Sequence, residues 1–519
     1  MTWSAETSCG YEQDKIAAFV LQYLGARSLD LGCGARKCWP FMLGVDRGGA
    51  ADMIGDIADL SMFADASFDS VFSSHALEDF QEERVPAVLA EWARVLKPGG
   101  RLCLYVPSAN LYPLIGEPGA NPAHRWNIYP GDIERHLLAA TSCGWTQVEC
   151  EERGEANEYS LFEVYAKRTD GQYVRRPWQR NPDGKKRVLL CRFGAIGDQI
   201  VASSVLPGLK RQGYHVTYMT TPQAAEIVKH DPHIDEFLLQ EKDACPNVAL
   251  GPYWDTLATR YDRFINLSES VEGALLTLPG RLTHQYPAEV RRRMFGTINY
   301  LERTHDIAGV PYDFAPRFFP TGPERAQALA KVRGMDGPAI CWAINGSSPH
   351  KVYPWTHIVV SWLLSRTPAH VVLMADPGVG LQLQNGMLEC LRAGGSDMAR
   401  VHGIAGDWPI RRSLAFCQVA HCVVGPETGP LNAVCIDPVP KVIYLSHSSA
   451  ENLTKHWRNT TVLEPDGERA PCFPCHRLHS TWEHCHQDEK TNAALCASAI
   501  APERVFAAIM ESLGARKAA

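Results

Sequence analysis

Four groups of residues in this 519-residue chain have types and spacings suited to chemistry. The first begins at LDLGCG, Leu29 to Gly34, where an apolar run passes directly into a turn holding Gly32 and Gly34. Glycine lets such a turn bend tightly and lets a ligand approach the backbone. Asp30 precedes the turn, Asp46 ends the next apolar run in GVDR, and Asp56 follows in GDIADL. A carboxylate at a strand end of this kind can accept both hydroxyls of a ribose. A purely structural strand-to-helix turn is the plain alternative. In the second group, RVLLCRFGAIGDQIVASSVL over 187–206, Asp198 opens a helix, where capping the free amides and complementing the helix dipole account for it. The third joins two loops, NGSSPHKVYPW over 345–355 and VVGPETGPLN over 423–432. Lys351 in the one is a counter-charge for a phosphate leaving group, and the helix start in the other has free N–H groups that suit a diphosphate.

The fourth group is CFPCHRLHSTWEHCHQDEKTNAALC over 472–496, with Cys472, Cys475, Cys485 and Cys496 and four interspersed histidines. Four thiolates, or three and a histidine, would satisfy tetrahedral structural zinc, while one or two disulfides and free packed thiols are the other readings. His124, in AHRWNIYPGDI, is either a base or acceptor contact or a packed histidine. Arg291, Arg292 and Arg293 would meet an anionic acceptor or form a solvated helix face.

These residues need elements to position them, and short apolar runs alternating with helical periodicity supply the pattern of parallel sheets covered by helices. Strands are expected at Ser28 to Leu31, Leu43 to Asp46, Ser70 to Ser73 and Arg101 to Val106, with helices over 13–24, 82–96 and 131–143. A polar stretch with two prolines and two glycines, RTDGQYVRRPWQRNPDGKK, then reads as a linker. Beyond it strands are expected at Val188 to Arg192, His215 to Thr220, Glu236 to Leu239 and Arg263 to Asn266. A second series follows at Ala339 to Ala343, His370 to Ala375, His421 to Gly425 and Lys441 to Ser446. The expected architecture is α/β, one doubly wound domain followed by two Rossmann-like halves. The boundaries are 1–168, a linker over 169–186, a first half over 187–330 and a second over 331–519.

With 45% hydrophobic and 21% charged residues, the composition is that of an ordinary globular protein and excludes collagen-like, coiled-coil and disordered chains. A formal charge of −7 offers no global pull towards nucleic acid, so no nucleic-acid partner is expected. No run of about 18 apolar residues would span a membrane, and the first residues lack a signal-peptide layout, which points to the cytoplasm with peripheral membrane contact left open. Seventeen cysteines scattered through such segments read as mostly reduced.

In motifs and order, the run LDLGCG, GVD, GDI, SFDSVFSSHALED and LKPGGRL resembles the class I S-adenosylmethionine-dependent methyltransferases over roughly residues 10–168. The resemblance implies S-adenosylmethionine as cofactor, with Asp30, Gly32 and the Gly34 turn against its methionine part, Asp46 on the ribose, Asp56 facing the adenine and His75 near the methyl group. Two departures are Glu78-Asp79 where the family often has Glu-His, and Ala35-Arg36-Lys37 after the glycine turn.

From about 187 to 512, the RFGAIGD, NGSSPHKVYPW and GPETGPLN segments together resemble glycosyltransferase family 9, the ADP-heptose:lipopolysaccharide heptosyltransferases. This implies a GT-B fold, a nucleotide-sugar donor of the ADP-heptose type and inverting, metal-independent transfer. Asp198 would be the general base, Lys351 would stabilise the departing diphosphate, and Thr428 and Gly429 would bind it. Glu427, where the family usually has aspartate, would contact the donor sugar. The combined expectation is a bifunctional transferase of glycan assembly acting on a glycan or glycolipid acceptor, phosphorylated or not. The alternatives are a degenerate methyltransferase domain kept for binding, or a phage, natural-product or protein acceptor.

Overall fold

The computed structural model describes residues 12–48, 51–154, 157–175, 184–240 and 250–515, and it divides into two compact units. The first comprises residues 1–184 together with 239–262, and the second residues 185–238 with 263–519.

In the first unit an eight-stranded sheet holds β1 (Ser28–Leu31), β2 (Leu43–Asp46), β3 (Met53–Ile54), β4 (Phe68–Ser74), β5 (Leu96–Pro107), β6 (Trp145–Arg153), β7 (Ser160–Lys167) and β8 (Tyr173–Arg175). Their order is β3-β2-β1-β4-β5-β7-β6-β8. β1 is buried throughout and β4 nearly so, as strands covered by helices on both faces must be. The reversal of strand order between β1 and β4 opens a crevice at their carboxyl ends, where ligands bind in doubly wound folds. The Gly32 turn, the end of β2 and His75 all lie at that edge.

The antiparallel pair β6 and β7 was not among the expected strands, because β6 alternates buried and half-buried residues and turns polar at its end. β8 lies inside the segment read as a linker and pairs in parallel with β6. Three residues carry too little pattern to announce a strand.

The described residues of 250–262, counted by sequence with the first Rossmann-like half, belong to the first unit. The helix Leu250–Ala258 lies against the helix Glu12–Val20. Behind it Arg260 donates to Glu149 at 2.6 Å and to the Tyr23 hydroxyl at 3.0 Å, while Tyr23 donates to Glu149 at 2.7 Å. Arg260 is 7% exposed and Glu149 4%, so the pair is shielded from water, and the guanidinium also covers the Phe19 ring at 4.5 Å.

The second unit holds two parallel sheets. One has β9 (Arg187–Cys191), β10 (His215–Thr220), β11 (Glu236–Leu239) and β12 (Arg263–Asn266) in the order β11-β10-β9-β12. The other has β13 (Ala339–Ala343), β14 (His370–Met374), β15 (Val401–Gly403), β16 (Cys422–Gly425), β17 (Lys441–Tyr444) and β18 (Thr460–Leu463) in the order β15-β14-β13-β16-β17-β18. These are the two Rossmann-like halves of a GT-B fold. One continuous apolar cluster joins them, running from Val188, Leu190 and Val205 to Cys341, Val423 and Leu431. Strand order reverses at β9/β12 and at β13/β16, so the RFGAIGD, NGSSPHK and GPETGPLN loops each leave a strand at a switch point. Among the described residues no helix is long and apolar enough to cross a membrane.

Removing one partner of a buried ion pair strands the other charge, at a cost of about 3–5 kcal/mol. We therefore expect Arg260→Ala to lower the first unit's unfolding midpoint in denaturant, and Arg260→Ala/Glu149→Gln to recover part of the loss. Unfolding followed by tryptophan fluorescence reads both, and an unchanged single variant would refute the role given to the pair.

Candidate active sites

In the first unit Gly32 has φ +76°, and a β-carbon there would stand 2.6 Å from that of Ala76, so only glycine fits between the turn and the segment after β4. Asp46 fixes the turn: one carboxylate oxygen accepts the Gly34 N–H at 2.9 Å and the other the Gly48 N–H at 2.7 Å. Each oxygen retains a second lone pair, and the space beside Gly34 is open, an arrangement able to take a nucleoside. Asp30, 2% exposed, accepts the Cys38 N–H at 2.6 Å. Burial pushes its carboxyl up to about 7 against the pull of that amide and of Lys37. Asp56 accepts the Ala58 N–H at 3.0 Å and pairs with Arg47 at 2.6 Å, and the amide and then Arg47 hold it below the usual carboxylate range despite partial burial. His75 follows β4 with Nε2 3.0 Å from the Ser160 hydroxyl.

In the second unit Asp198 does two things at once. As a cap, its Oδ2 accepts the Ala195 N–H at 2.8 Å. Its Oδ1 accepts from Arg192 at 2.7 Å and from the Tyr300 hydroxyl at 2.9 Å, which fixes the carboxylate plane. Arg192 is 4% exposed and also binds the carbonyls of Leu267 and Ser268. The helix starts at Gly197 and Gly429 touch: a β-carbon at 429 would stand 2.6 Å from Ile196 Cβ and 3.4 Å from the Gly197 nitrogen. On the other side, a β-carbon at Gly346 would meet Lys351 at 2.7 Å and Thr428 at 2.9 Å. Three segments separated by some 150 and 80 residues thus close on one point.

Lys351, 7% exposed, donates to the Glu427 carbonyl at 2.8 Å and lies 3.4 Å from the Ser347 hydroxyl. Burial lowers its pKa while Glu427 and Asp198 oppose the shift, and an ammonium keeps a third proton for a ligand. The Thr428 hydroxyl is buried and has no hydrogen-bond partner among the described residues. Glu427 is turned inward: its carboxylate accepts from the Ser446 and Ser448 backbone N–H groups, from both serine hydroxyls, and pairs with His447. Burial raises its pKa, but His447, Lys351 and Ser448 outweigh it and hold the group well below the usual range. Its carboxylate is occupied by the 446–448 loop.

Cys472, Cys475, Cys485 and Cys496 line one cavity of about 310 Å³ together with His350, His479, His484 and His486. The expected tetrahedral set is not assembled, since among the described residues no group of three or more such side chains is arranged around a metal, and all four thiols are unbridged. Burial pushes Cys475 up to about 11 and Cys485 up to about 12. Arg291 and Arg292 also depart from expectation: Arg291 is 3% exposed and donates to the Cys475 carbonyl at 2.7 Å, and Arg292 to that of Pro471 at 2.7 Å, so both secure this segment's backbone.

Sequence reasoning missed Arg192, Tyr300, His447 and Glu78. Arg192 was within reach, lying six residues before Asp198 on the same strand-loop-helix unit. Tyr300 and His447 carried no local signal, because long-range folding alone brings them to their carboxylates. Glu78, noted only as a departure, is fully buried with its carboxylate 3.5 Å from His75 and 3.8 Å from His124.

Residues 39–104 match the family described as methyltransferase domain. A comparison with curated proteins returned no match. Among solved structures the chain is similar to the glycosyl transferase family 9 protein from Veillonella parvula DSM 2008, at 16% identity and TM-score 0.46 over 64% of this chain and 98% of that one. It is also similar to E. coli ADP-heptose lps heptosyltransferase II, at 14% identity and TM-score 0.43 over 64% and 99%. It is similar as well to the Burkholderia thailandensis 1,6-didemethyltoxoflavin-N1-methyltransferase, at 19% identity and TM-score 0.25 over 32% of this chain and 82% of that one.

Asp30 binds its proton more tightly folded, at about 7, than at its ordinary 3.8, so stability falls as pH rises between those values. Asp30→Asn keeps the acceptor for Cys38 and removes the buried charge. Its melting temperature should equal wild type near pH 4 and exceed it at pH 8, by roughly 1–4 kcal/mol of stability. Parallel shifts across the whole pH range would contradict the buried-charge account.

Proposed function

We propose that the chain is a bifunctional transferase of glycan assembly. Its second unit would be an inverting glycosyltransferase taking a nucleotide-diphosphate sugar of the ADP-heptose type, and its first an S-adenosylmethionine-dependent methyltransferase. The observation that carries the first reading is the meeting of Asp198, Lys351 and Thr428 across the Gly197–Gly429 contact. A base, a cation and an unsatisfied hydroxyl at facing helix starts are what displacement at an anomeric carbon requires.

In that reaction the Asp198 carboxylate takes the proton of the acceptor hydroxyl as its oxygen bonds to the anomeric carbon. The bond to the diphosphate breaks on the opposite side, which inverts the centre. Lys351 balances the departing charge in place of a divalent cation, and the Thr428 hydroxyl and the Gly429 backbone donate to the phosphate oxygens. Arg192 and Tyr300 orient the base, and Glu427 organises the 446–448 loop that walls the donor side. Heptose as donor sugar, the lipopolysaccharide setting and a cytoplasmic location rest on the resemblance of the three motifs to family 9.

In the first unit the bound cofactor would supply an electrophilic methyl group on sulfur, and the protein's work is to hold it in line with a nucleophile. The turn at Gly32 and Gly34 and the carboxylates of Asp30, Asp46 and Asp56 would hold the cofactor, with His75 at the methyl end. The match of residues 39–104 to the methyltransferase domain supports this reading.

Calorimetry with S-adenosylhomocysteine, ADP, GDP and UDP on wild type, Asp46→Ala and Lys351→Ala tests both sites. S-adenosylhomocysteine and one nucleotide should bind, each variant losing its own ligand at least tenfold and keeping the other. Asp198→Asn should retain nucleotide binding while transfer falls about 10²–10⁴-fold. Failure of every nucleotide to bind, or undiminished binding by Lys351→Ala, would refute the glycosyl site.

A further inference from the structure

We propose that Glu78, buried between His75 and His124, is the charge-balancing member of an acid-base group on the acceptor side of the methyl-transfer site, and that the acceptor is a neutral hydroxyl compound. This rests on the methyltransferase reading of the first unit.

Position is the first argument. Ala76 is the residue against which Gly32 packs, so His75 and the turn Leu77–Asp79 lie next to the glycine turn. His75 has φ +49°, a left-handed conformation that a non-glycine residue holds only where its surroundings impose it, and its N–H donates to the Tyr105 carbonyl at 2.8 Å. The turn then brings Glu78 beneath His75, with Oε1 3.5 Å from Nδ1. His124 arrives from a distant loop, which two hydrogen bonds fix in place: the Arg125 N–H to the Glu78 carbonyl at 2.8 Å and the Trp126 indole to the Leu77 carbonyl at 3.2 Å.

Chemistry is the second. Glu78 has 0% exposure, and burying a carboxylate is costly unless charge or donors meet it. Two imidazoles face its Oε1, His75 through Nδ1 at 3.5 Å and His124 through Nε2 at 3.8 Å. Glu12 reaches the other ring nitrogen, Nε2, of His75 at 4.0 Å, its charge shared with Lys15, which lies over the Tyr159 ring, while Glu158 pairs with Arg153 and accepts from Tyr105. Tyr105 and Tyr159 flank His75, and Tyr112 flanks His124. A carboxylate between two imidazoles in an aromatic setting can stabilise one added proton.

A neutral hydroxyl needs that help. As its oxygen bonds to the methyl carbon, the carbon–sulfur bond breaks with its electron pair going to sulfur. The hydroxyl proton passes to the imidazole pair, whose new positive charge Glu78 balances. Glu78 is thus a positioning and charge-balancing residue that acts through the histidines.

Sinefungin, which carries an ammonium where S-adenosylmethionine carries its methyl-sulfonium, probes this without knowledge of the acceptor. Calorimetry on the full chain should give at least tenfold tighter binding of sinefungin than of S-adenosylhomocysteine. Glu78→Gln should bring the two within about twofold, by weakening sinefungin alone, and Glu78→Asp should restore part of the difference. If Glu78→Gln does not fold, histidine-labelled wild-type NMR decides: the His75 and His124 resonances should shift with sinefungin beyond their shift with S-adenosylhomocysteine. Equal wild-type affinities, a difference that survives Glu78→Gln, or histidine resonances indifferent to the ammonium overturn the proposal. No binding of S-adenosylhomocysteine at all overturns the methyltransferase reading, and this inference with it.

Discussion

The contact between the helix starts at Gly197 and Gly429 is the constraint on which the second unit's site depends. A β-carbon at 429 would stand 2.6 Å from Ile196 Cβ, so the approach requires glycine there, while at 197 the tightest neighbour is the Asn432 side-chain amide at 3.0 Å. With glycine at both, the strand ends of two separate sheets meet. A cation from 345–355 and a carboxylate from 187–206 then come within electrostatic reach, as the opposing pull of Asp198 on the buried Lys351 shows. The continuous apolar cluster beneath, from Val188 to Val423, makes the approach stable rather than merely permitted.

Both units solve a common electrostatic problem in the same way. A charge taken from water must be met by fixed partners, or it neutralises. Glu427 is met by two serines, two backbone amides and His447. Asp198 is met by Arg192 and Tyr300, and Glu149 by Arg260 and Tyr23. Asp30 has only the Cys38 amide and distant Lys37 against its burial, and its proton affinity rises accordingly. Glu427, met on every side, is held well below the usual carboxylate range, whereas burial carries Asp30, and in the same sheet Glu163, up to about 7.

The chain's path couples the two units covalently in more than one place. It leaves the first unit near residue 184, returns for 239–262 and leaves again. The returning segment contributes Arg260, whose buried ion pair with Glu149 makes it part of the first unit's interior. A cut by sequence alone at the polar stretch over 169–186 would separate these partners.

What the sequence determined by itself was local. Apolar runs bounded by glycine and polar turns located His215–Thr220, Glu236–Leu239, Arg263–Asn266 and Ala339–Ala343 at the ends the structure gives them, because such a run announces a strand in its own residues, whether the strand is buried, as Ala339–Ala343, or largely uncovered, as Glu236–Leu239. The glycine turns and the residues at the strand ends were legible for the same reason. Strands β6 and β8 were not, since a half-buried or three-residue strand has little pattern of its own, and β7 was missed although its first six residues are buried. Tertiary structure alone decided which turns face each other, that Glu427 points into the 446–448 loop, that Arg291 secures a carbonyl, and that Glu78 stands between two histidines 49 residues apart in the chain. Those outcomes depend on distances of a few ångströms between segments far apart in sequence, and single-chain periodicity holds no record of them.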